Sequence, residues 1–577
     1  MNDNIAQMIE VRARQLGSKP ALSLYGGDPA EQYSYEALDR ASRRLAGGFI
    51  GAGVRPDDRI ALLCDSRPRF AVAMFATLRA GAVVLPLDAR QSVDELARIL
   101  ADARPRILLA GRAQEALAAE LLAARGQELT VLSLESAADE SRDGLVRAKQ
   151  DARADESRHG LARAKQDARA DATAWPSMDT LSPAAGHRCV PRTLDDAAVL
   201  TYTSGTTGSA KGVVTTSGNL LFQIRAIRAV MQNDERVTSV SILPLSHLFE
   251  LTAGFLAVLY GGGHICYCNS LLPVEVISAM RAHRVTCMAV VPLFLKLIRT
   301  AICNEVAHRS AWRWRLFAVM TRLTRLLPLS VRRRLYSPLH RRFGGALEYF
   351  VCGGAPLDAD TERFFAGVGI PVYQGYGLAE TSPIIATNSP RAVRAGSVGK
   401  PLPGVEVRVS VADGGEILTR GPHVMRGYFG NRELTTNLVD ADGWLHTGDI
   451  GRLDRHGFLY VSGRRKNTIV LGSGQKVQPE ELEALLFDHP DIREGCIIGM
   501  PATRGIEQGS EEVCAIAVAS DSAVSRFAGH LEQLEPALRS IVRQRALGLP
   551  AFKRPTRIIV CSDPLPRTST RKVRRPA

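Results

Sequence analysis

The stretch Thr201-Tyr-Thr-Ser-Gly-Thr-Thr-Gly-Ser-Ala-Lys-Gly-Val213 follows the apolar run Ala197-Ala-Val-Leu200 with no polar spacer between them. A buried-type strand enters this stretch and the apolar pair Val213-Val214 leaves it, which a flexible Gly/Ser linker would not show. Gly205, Gly208 and Gly212 accept backbone angles closed to other residues, so main-chain N–H groups can approach an anion. Ser204, Thr206 and Thr207 add hydroxyls, and Lys211 adds a positive charge. The chemistry this suits is a nucleotide triphosphate. A Walker loop fits poorly, because Lys211 stands three residues past Gly208 and is followed by Gly212 where Ser or Thr is needed.

This stretch resembles the Thr-Ser-Gly-Thr-Thr-Gly-x-x-Lys-Gly signature of the adenylate-forming superfamily of acyl-CoA synthetases, luciferases and peptide-synthetase adenylation domains. The resemblance implies that Thr203, Ser204, Gly205, Thr206, Thr207, Gly208 and Lys211 surround ATP, with Thr206 also near the metal. It further implies a large amino-terminal α/β domain with a β-barrel-like subdomain, followed by a small mobile α+β domain.

At 577 residues, the chain exceeds what one core serves, so two or more domains are expected. Helical and strand patterns alternate from Ala6 to Arg125, as in Tyr33–Leu45, Arg59–Cys64 and Ala80–Leu87. Such alternation indicates parallel sheets covered by helices. The expected domains are 1–465 and 466–577, with Lys466 as hinge. Within the first, residues 140–155 are repeated almost letter for letter at 156–171. Two copies cannot build a solenoid, and so few apolar residues cannot offset ordering entropy, so a duplicated linker is expected.

No apolar run is long enough to span a membrane, and the start Met1-Asn-Asp-Asn-Ile5 lacks the pattern of a signal peptide, so a cytoplasmic location is expected. Ten cysteines with no CxxC spacing imply neither a zinc site nor a disulfide framework. A net charge of +14 permits binding to membranes or nucleic acid, but ATP, fatty carboxylates and CoA are anions too. Residues 306–347 contain ten arginines and no acidic residue, interleaved with Trp312, Trp314, Phe317 and leucines. This pattern suits either amphipathic helices on an anionic membrane surface, through about 309–342 and at the inner face, or a solvated basic face. No specific nucleic-acid partner is expected.

A second constellation is Val351-Cys-Gly-Gly-Ala-Pro356 with Val372-Tyr-Gln-Gly-Tyr-Gly-Leu-Ala-Glu-Thr-Ser-Pro383. Glycines after a strand let a flat ring approach the backbone, and an aromatic can stack on it. By resemblance, Gly354, Ala355, Tyr376 and Gly377 line the adenine site, Thr381 contacts the α-phosphate, and Glu380 holds Mg²⁺, a hard ion suited to carboxylate and phosphate oxygens. Asp449 and Arg464 resemble the ribose ligands. Gly472, Ser473 and Gly474 resemble the loop beside the pantetheine tunnel, and His247, after a strand-like run, resembles a residue bordering the acyl pocket.

Pro566-Arg-Thr-x-x-x-Lys572 resembles the family's closing motif, whose lysine reaches the acyl carboxylate and the α-phosphate. Arg571 stands where glycine is usual. The resemblance implies an AMP-forming acyl-CoA synthetase acting on a medium- or long-chain fatty acid, with Mg²⁺, ATP and CoA. The alternatives are a ligase loading a carrier-protein phosphopantetheine and a catalytically silent basic binding protein.

Overall fold

A computed structural model describes residues 4–27, 31–125, 129–135, 175–183, 189–204, 210–309, 311–412, 414–471, 475–501, 511–528, 530–561 and 563–566, with 573 and 575. The repeat at 140–171, the glycines Gly205 and Gly208 with Thr206 and Thr207, the loop Gly472, Ser473 and Gly474, and Lys572 lie outside these residues. Contact density divides the chain into two units, 1–405 with 420–437, and 406–419 with 438–577.

The first unit is built on two sheets. In one, Thr130–Ser133, Ile107–Ala110, Arg59–Leu63, Val83–Leu87 and Ala197–Ser204 run parallel in that spatial order. All strand positions of Val83–Leu87 and Ile107–Ala110 are buried, which is why these segments read as continuous apolar runs rather than alternating ones. Ala197–Ser204 then returns antiparallel as Ala210–Thr216, with Thr203 opposite Lys211, and Gly427–Tyr428 adds an outer antiparallel strand. Ser204 and Ala210 thus face each other across an antiparallel pair, and the next element after Ala197–Ser204 is a strand rather than the helix that follows a Walker loop.

The helix Ser217–Met231 follows. Thr216 and Asn219 form a capping box at its start, and Leu220, Leu221, Ile224, Ile227 and Met231 are buried at helical spacing. Each such side chain contributes about 1.5–3 kcal/mol when removed from water.

The second sheet of this unit places Val372–Tyr376, Tyr349–Cys352, Cys287–Val290, Thr238–Ser241, His264–Tyr267 and Pro20–Leu24 side by side and parallel. Its core includes Val240, Met288, Val290, Phe350, Phe365 and Val372. The strand-like run before His247 is a strand only as far as Ser241; a turn closed by His247 N–H on the Pro244 carbonyl follows, and then come the π-helical segment Glu250–Leu256 and the short helix Ala257–Gly261. The arginine-rich region forms the helices Ala311–Leu323, Leu329–Leu335 and Ser337–Arg342.

In the second unit, Glu406–Ser410, Glu416–Arg420, Leu445–Leu453 and Leu459–Arg464 form a four-stranded sheet. The turn Arg465–Asn467, which contains Lys466, joins it to an α+β segment. There Ile492–Pro501, Glu511–Ala519 and Arg557–Cys561 pair, and Leu482, Leu486, Val513, Leu538 and Val542 fill the core. The helix Pro479–Leu486 starts where its proline places it, with Glu480 and Glu481 in the first turn favouring the positive end of the helix dipole. Among the described residues no helix is long and apolar enough to cross a membrane.

Candidate active site

In the first unit, the hairpin and the outer strand bring Lys211, Tyr428 and Glu380 together. Pairing of Gly427–Tyr428 with Val213 and Val214 sets Tyr428 beside the hairpin, and the Lys211 ammonium lies 5.6 Å from the centre of its ring. The Tyr428 hydroxyl donates to Glu380 Oε1 at 2.8 Å, while Met425 N–H donates to the Glu380 carbonyl at 2.9 Å. Burial and the adjacent carboxylate push the Tyr428 phenol well above its ordinary range, so it remains a neutral donor. Gly212 is required here because a Cβ would press on Leu200, Tyr202 and Phe429 at 3.0–3.1 Å.

The donor set fits Mg²⁺ in one specific way. No group of three or more His, Cys, Asp or Glu residues able to cage a metal occurs among the described residues. Mg²⁺ is commonly held by one or two carboxylates together with substrate phosphates, and Glu380 beside a phosphate-type hairpin meets that pattern.

The loop carrying Glu380 is held from behind. Gln223 Nε2, fully buried on the helix Ser217–Met231, donates to the carbonyls of Thr381 at 3.0 Å and Ile384 at 2.7 Å. Asn219 on the same helix donates to the carbonyls of Pro422 and Val424. The Thr381 side chain is buried within its own turn, where its hydroxyl accepts from Leu378 N–H at 2.9 Å and lies 3.0 Å from the Leu378 and Pro383 carbonyls. Contact between that hydroxyl and a phosphate would require the turn to open. A Cβ on Gly377 would fall 1.8 Å from the Pro383 carbonyl oxygen, so this glycine permits the loop to fold back on itself.

Gly354 and Ala355 are exposed after the strand Tyr349–Cys352. Gly354 has φ +84°, with only Val291 within 4.0 Å of where a Cβ would be, which leaves room for a flat group. Tyr376 ends the neighbouring strand and is half-buried.

His247 Nε2 lies 3.1 Å from Arg90 and 3.6 Å from Asp88. Burial alone would raise the Asp88 carboxyl, but hydrogen bonds from the Arg90 side chain and backbone hold it below the usual range. A cavity in the same unit is lined by Phe249, Ala253, Gly254 and Val258, among others. His247 is not among its lining residues.

In the second unit, Asp449 and Arg464 are register partners on adjacent strands, with Arg464 Nε 2.9 Å from Asp449 Oδ1. Asp449 is buried and Arg464 half-buried. The Asp449 N–H donates to Thr447 Oγ1 at 3.1 Å, which fixes the carboxylate's backbone. Partial burial and the neighbouring Arg464 and Arg575 guanidiniums lower the Lys466 ammonium from its ordinary value. Arg575 is itself bonded to Glu480 and Glu483.

Tyr428, Gln223 and Asn219 escaped the reading of the sequence. Tyr428 lies 48 residues from Glu380, and Gln223 lies 158 residues from Thr381, so no local spacing links them.

Residues 9–429 match the family described as AMP-binding enzyme. The chain belongs to that family. This AMP-binding enzyme is 31% identical over 490 residues to a long-chain-fatty-acid–CoA ligase of Mycobacterium bovis, covering 79% of this chain and 73% of that protein. It is 30% identical over 492 residues to a feruloyl-CoA synthase of an Amycolatopsis species, covering 83% of each. Among solved structures it resembles ATP-bound MatB from Rhodopseudomonas palustris, with a TM-score of 0.72 and 25% identity, over 99% of this chain and 97% of that one. The AMP-binding enzyme described here is an AMP-forming acid–thiol ligase of the adenylate-forming superfamily.

Proposed function

We propose that the protein is an ATP-dependent acyl-CoA synthetase that activates a medium- or long-chain carboxylic acid as its acyl-adenylate and passes the acyl group to CoA. The observation that carries this reading is the Glu380 carboxylate held by the Tyr428 hydroxyl, with the Lys211 ammonium over the Tyr428 ring. A carboxylate must attack an anionic α-phosphate in line as pyrophosphate leaves, so positive groups have to offset that repulsion. Lys211 and the hairpin N–H groups would bind the phosphates, and Glu380 would hold Mg²⁺, which supplies charge neutralisation when bound. Asp449 would accept the ribose hydroxyls, with Arg464 keeping its carboxylate oriented. Lys572 would draw the acid carboxylate toward phosphorus, and Lys466 would serve as the pivot between half-reactions, with Gly472, Ser473 and Gly474 beside the thiol's path. The relatives that activate fatty and ferulic acids support an apolar acid in general.

The deciding experiment is exchange of labelled pyrophosphate into ATP with acids of graded length, followed by mass analysis with CoA or a carrier protein as acceptor. Exchange with at least one acid, and a CoA thioester as product, is expected. Failure with every acid would favour a silent binding protein, and a product formed only on the carrier would move the acceptor.

A second proposal concerns location. Trp312, Leu316, Val319 and Leu323 are exposed at helical spacing along Ala311–Leu323, and Arg315, Arg322, Arg334 and Arg341 are exposed in the same region. An apolar stripe flanked by arginines suits an anionic lipid surface. Flotation with vesicles of anionic phospholipid, absent with zwitterionic vesicles and lost in Leu316→Asp, is the expected result.

A further inference from the structure

We infer, resting on the acid-activating reading above, that the pair Tyr349 and Asn233 closes the far end of the acyl cavity and limits the substrate to acids of roughly ten carbons or fewer. The cavity lies in the first unit, between the sheet that carries Cys287–Val290, Tyr349–Cys352 and Val372–Tyr376 and the helical segments Ser217–Met231 and Glu250–Gly261.

Its direction follows from strand polarity. These three strands are parallel, and in such sheets ligands sit at the carboxyl ends, where Gly353, Gly354 and Tyr376 turn into loops. Gly375 and Phe249 line the cavity on that side. Cys287 and Tyr349 are register partners at the amino ends of their strands, so they mark the opposite limit.

The register gives the length of the wall, which is an upper bound on the depth. Cys352 pairs with Gln374, which sets Gly375 level with Gly353, four positions beyond Tyr349. Four strand residues at about 3.3 Å each span roughly 13 Å. A zigzag hydrocarbon with bonds of about 1.5 Å covers that distance in roughly ten carbons.

The sides of the cavity are apolar, with Met231, Val258, Met288 and Val351 among them. The far end is not. The Tyr349 hydroxyl lies 3.1 Å from Asn233 Oδ1, and the Tyr349 ring packs on Tyr373 with centroids 5.2 Å apart. The Asn233 backbone is pinned as well, since Arg228 Nε donates to its carbonyl at 3.2 Å. Both side chains are buried. A longer acid would have to push methylenes into a hydrogen-bonded pair that has no water to turn to, and it would forfeit that bond. Shorter chains leave apolar wall uncovered and lose binding by area.

The test is the chain-length profile of pyrophosphate exchange with straight-chain acids from four to eighteen carbons. For the wild type, kcat/KM is expected to peak at about ten carbons or fewer and to fall at least tenfold by hexadecanoate. Tyr349→Ala should raise the hexadecanoate-to-octanoate ratio at least tenfold, whereas Tyr349→Phe, which keeps the ring, should leave the cut-off within two carbons of wild type. If Tyr349→Ala does not fold, Asn233→Ala carries the same expectation of a longer cut-off. A wild type as active on hexadecanoate as on octanoate, or an unchanged ratio in folded Tyr349→Ala and Asn233→Ala, overturns the inference while leaving acid activation in place. Absence of exchange with any acid overturns the underlying reading and the inference together.

Discussion

Tyr428 donates its hydroxyl to Glu380 at 2.8 Å from a two-residue strand at the edge of the first unit's seven-stranded sheet. The short strand aligns a phenol held above its ordinary range by burial with the carboxylate proposed to hold the metal. Removing the hydroxyl in Tyr428→Phe is expected to lower kcat/KM for pyrophosphate exchange about 10- to 100-fold, since a hydrogen bond to a charged group is worth about 1.5–3 kcal/mol. Mg²⁺ titration of the exchange rate should show half-saturation displaced to higher concentration, with Tm nearly unchanged.

Asp449→Asn keeps the shape of the side chain while removing the charge that faces Arg464. ATP affinity measured by calorimetry should weaken about tenfold or more. Transfer from a supplied acyl-adenylate to the thiol should suffer less than adenylation if the carboxylate serves nucleotide capture.

Lys572→Ala is expected to abolish acyl-adenylate formation and to spare thioester formation from a supplied acyl-adenylate. Rapid-quench assays of the two half-reactions would read this directly. Equal loss of both would refute the proposed division of labour.

Gly377→Ala would place a Cβ 1.8 Å from the Pro383 carbonyl oxygen, a backbone atom that cannot rotate away. The expected outcome is a loss of about 1–3 kcal/mol in stability by denaturant titration, together with loss of exchange activity as the Glu380 loop shifts.

Glu250 is fully buried in the π-helical segment, and burial pushes its carboxyl up to about 8 despite the nearby Ser241 hydroxyl. Between the unfolded value near 4.5 and about 8, the folded chain holds a proton that the unfolded chain has released. This contribution to stability is therefore present below pH 4.5 and is lost as pH rises through 8, at about 1.4 kcal/mol per unit of displacement. Glu250→Gln removes the titration, so the fall in Tm between pH 5.5 and 8.5 should be smaller in the variant than in the wild type.

The parts legible from sequence are those whose signals are local. The strand Ala197–Ser204, the strands Arg59–Leu63 and Val83–Leu87 and the helix opened by Pro479 each show in a dozen residues or fewer. Contacts set by topology do not show in this way. Nothing near Gly427 announces that it will pair with Val214, and nothing near Gln223 announces a carbonyl 158 residues away. The strand before His247 is shorter than its apolar run, because such a run does not itself mark where a strand gives way to a turn. His247 stood out as the lone ionisable ring in that run, and its imidazole sits beside Arg90 and Asp88.

The helix Ser217–Met231 braces the Glu380 loop through Gln223 and, two turns further on, presents Met231 to the cavity. One helix thus touches both the support of the carboxylate proposed to hold Mg²⁺ and the wall proposed to meet the acid. Redesigning the acid preference by altering that wall should therefore also disturb ATP turnover, and variants at Met231 should show acid and nucleotide kinetics changing in concert.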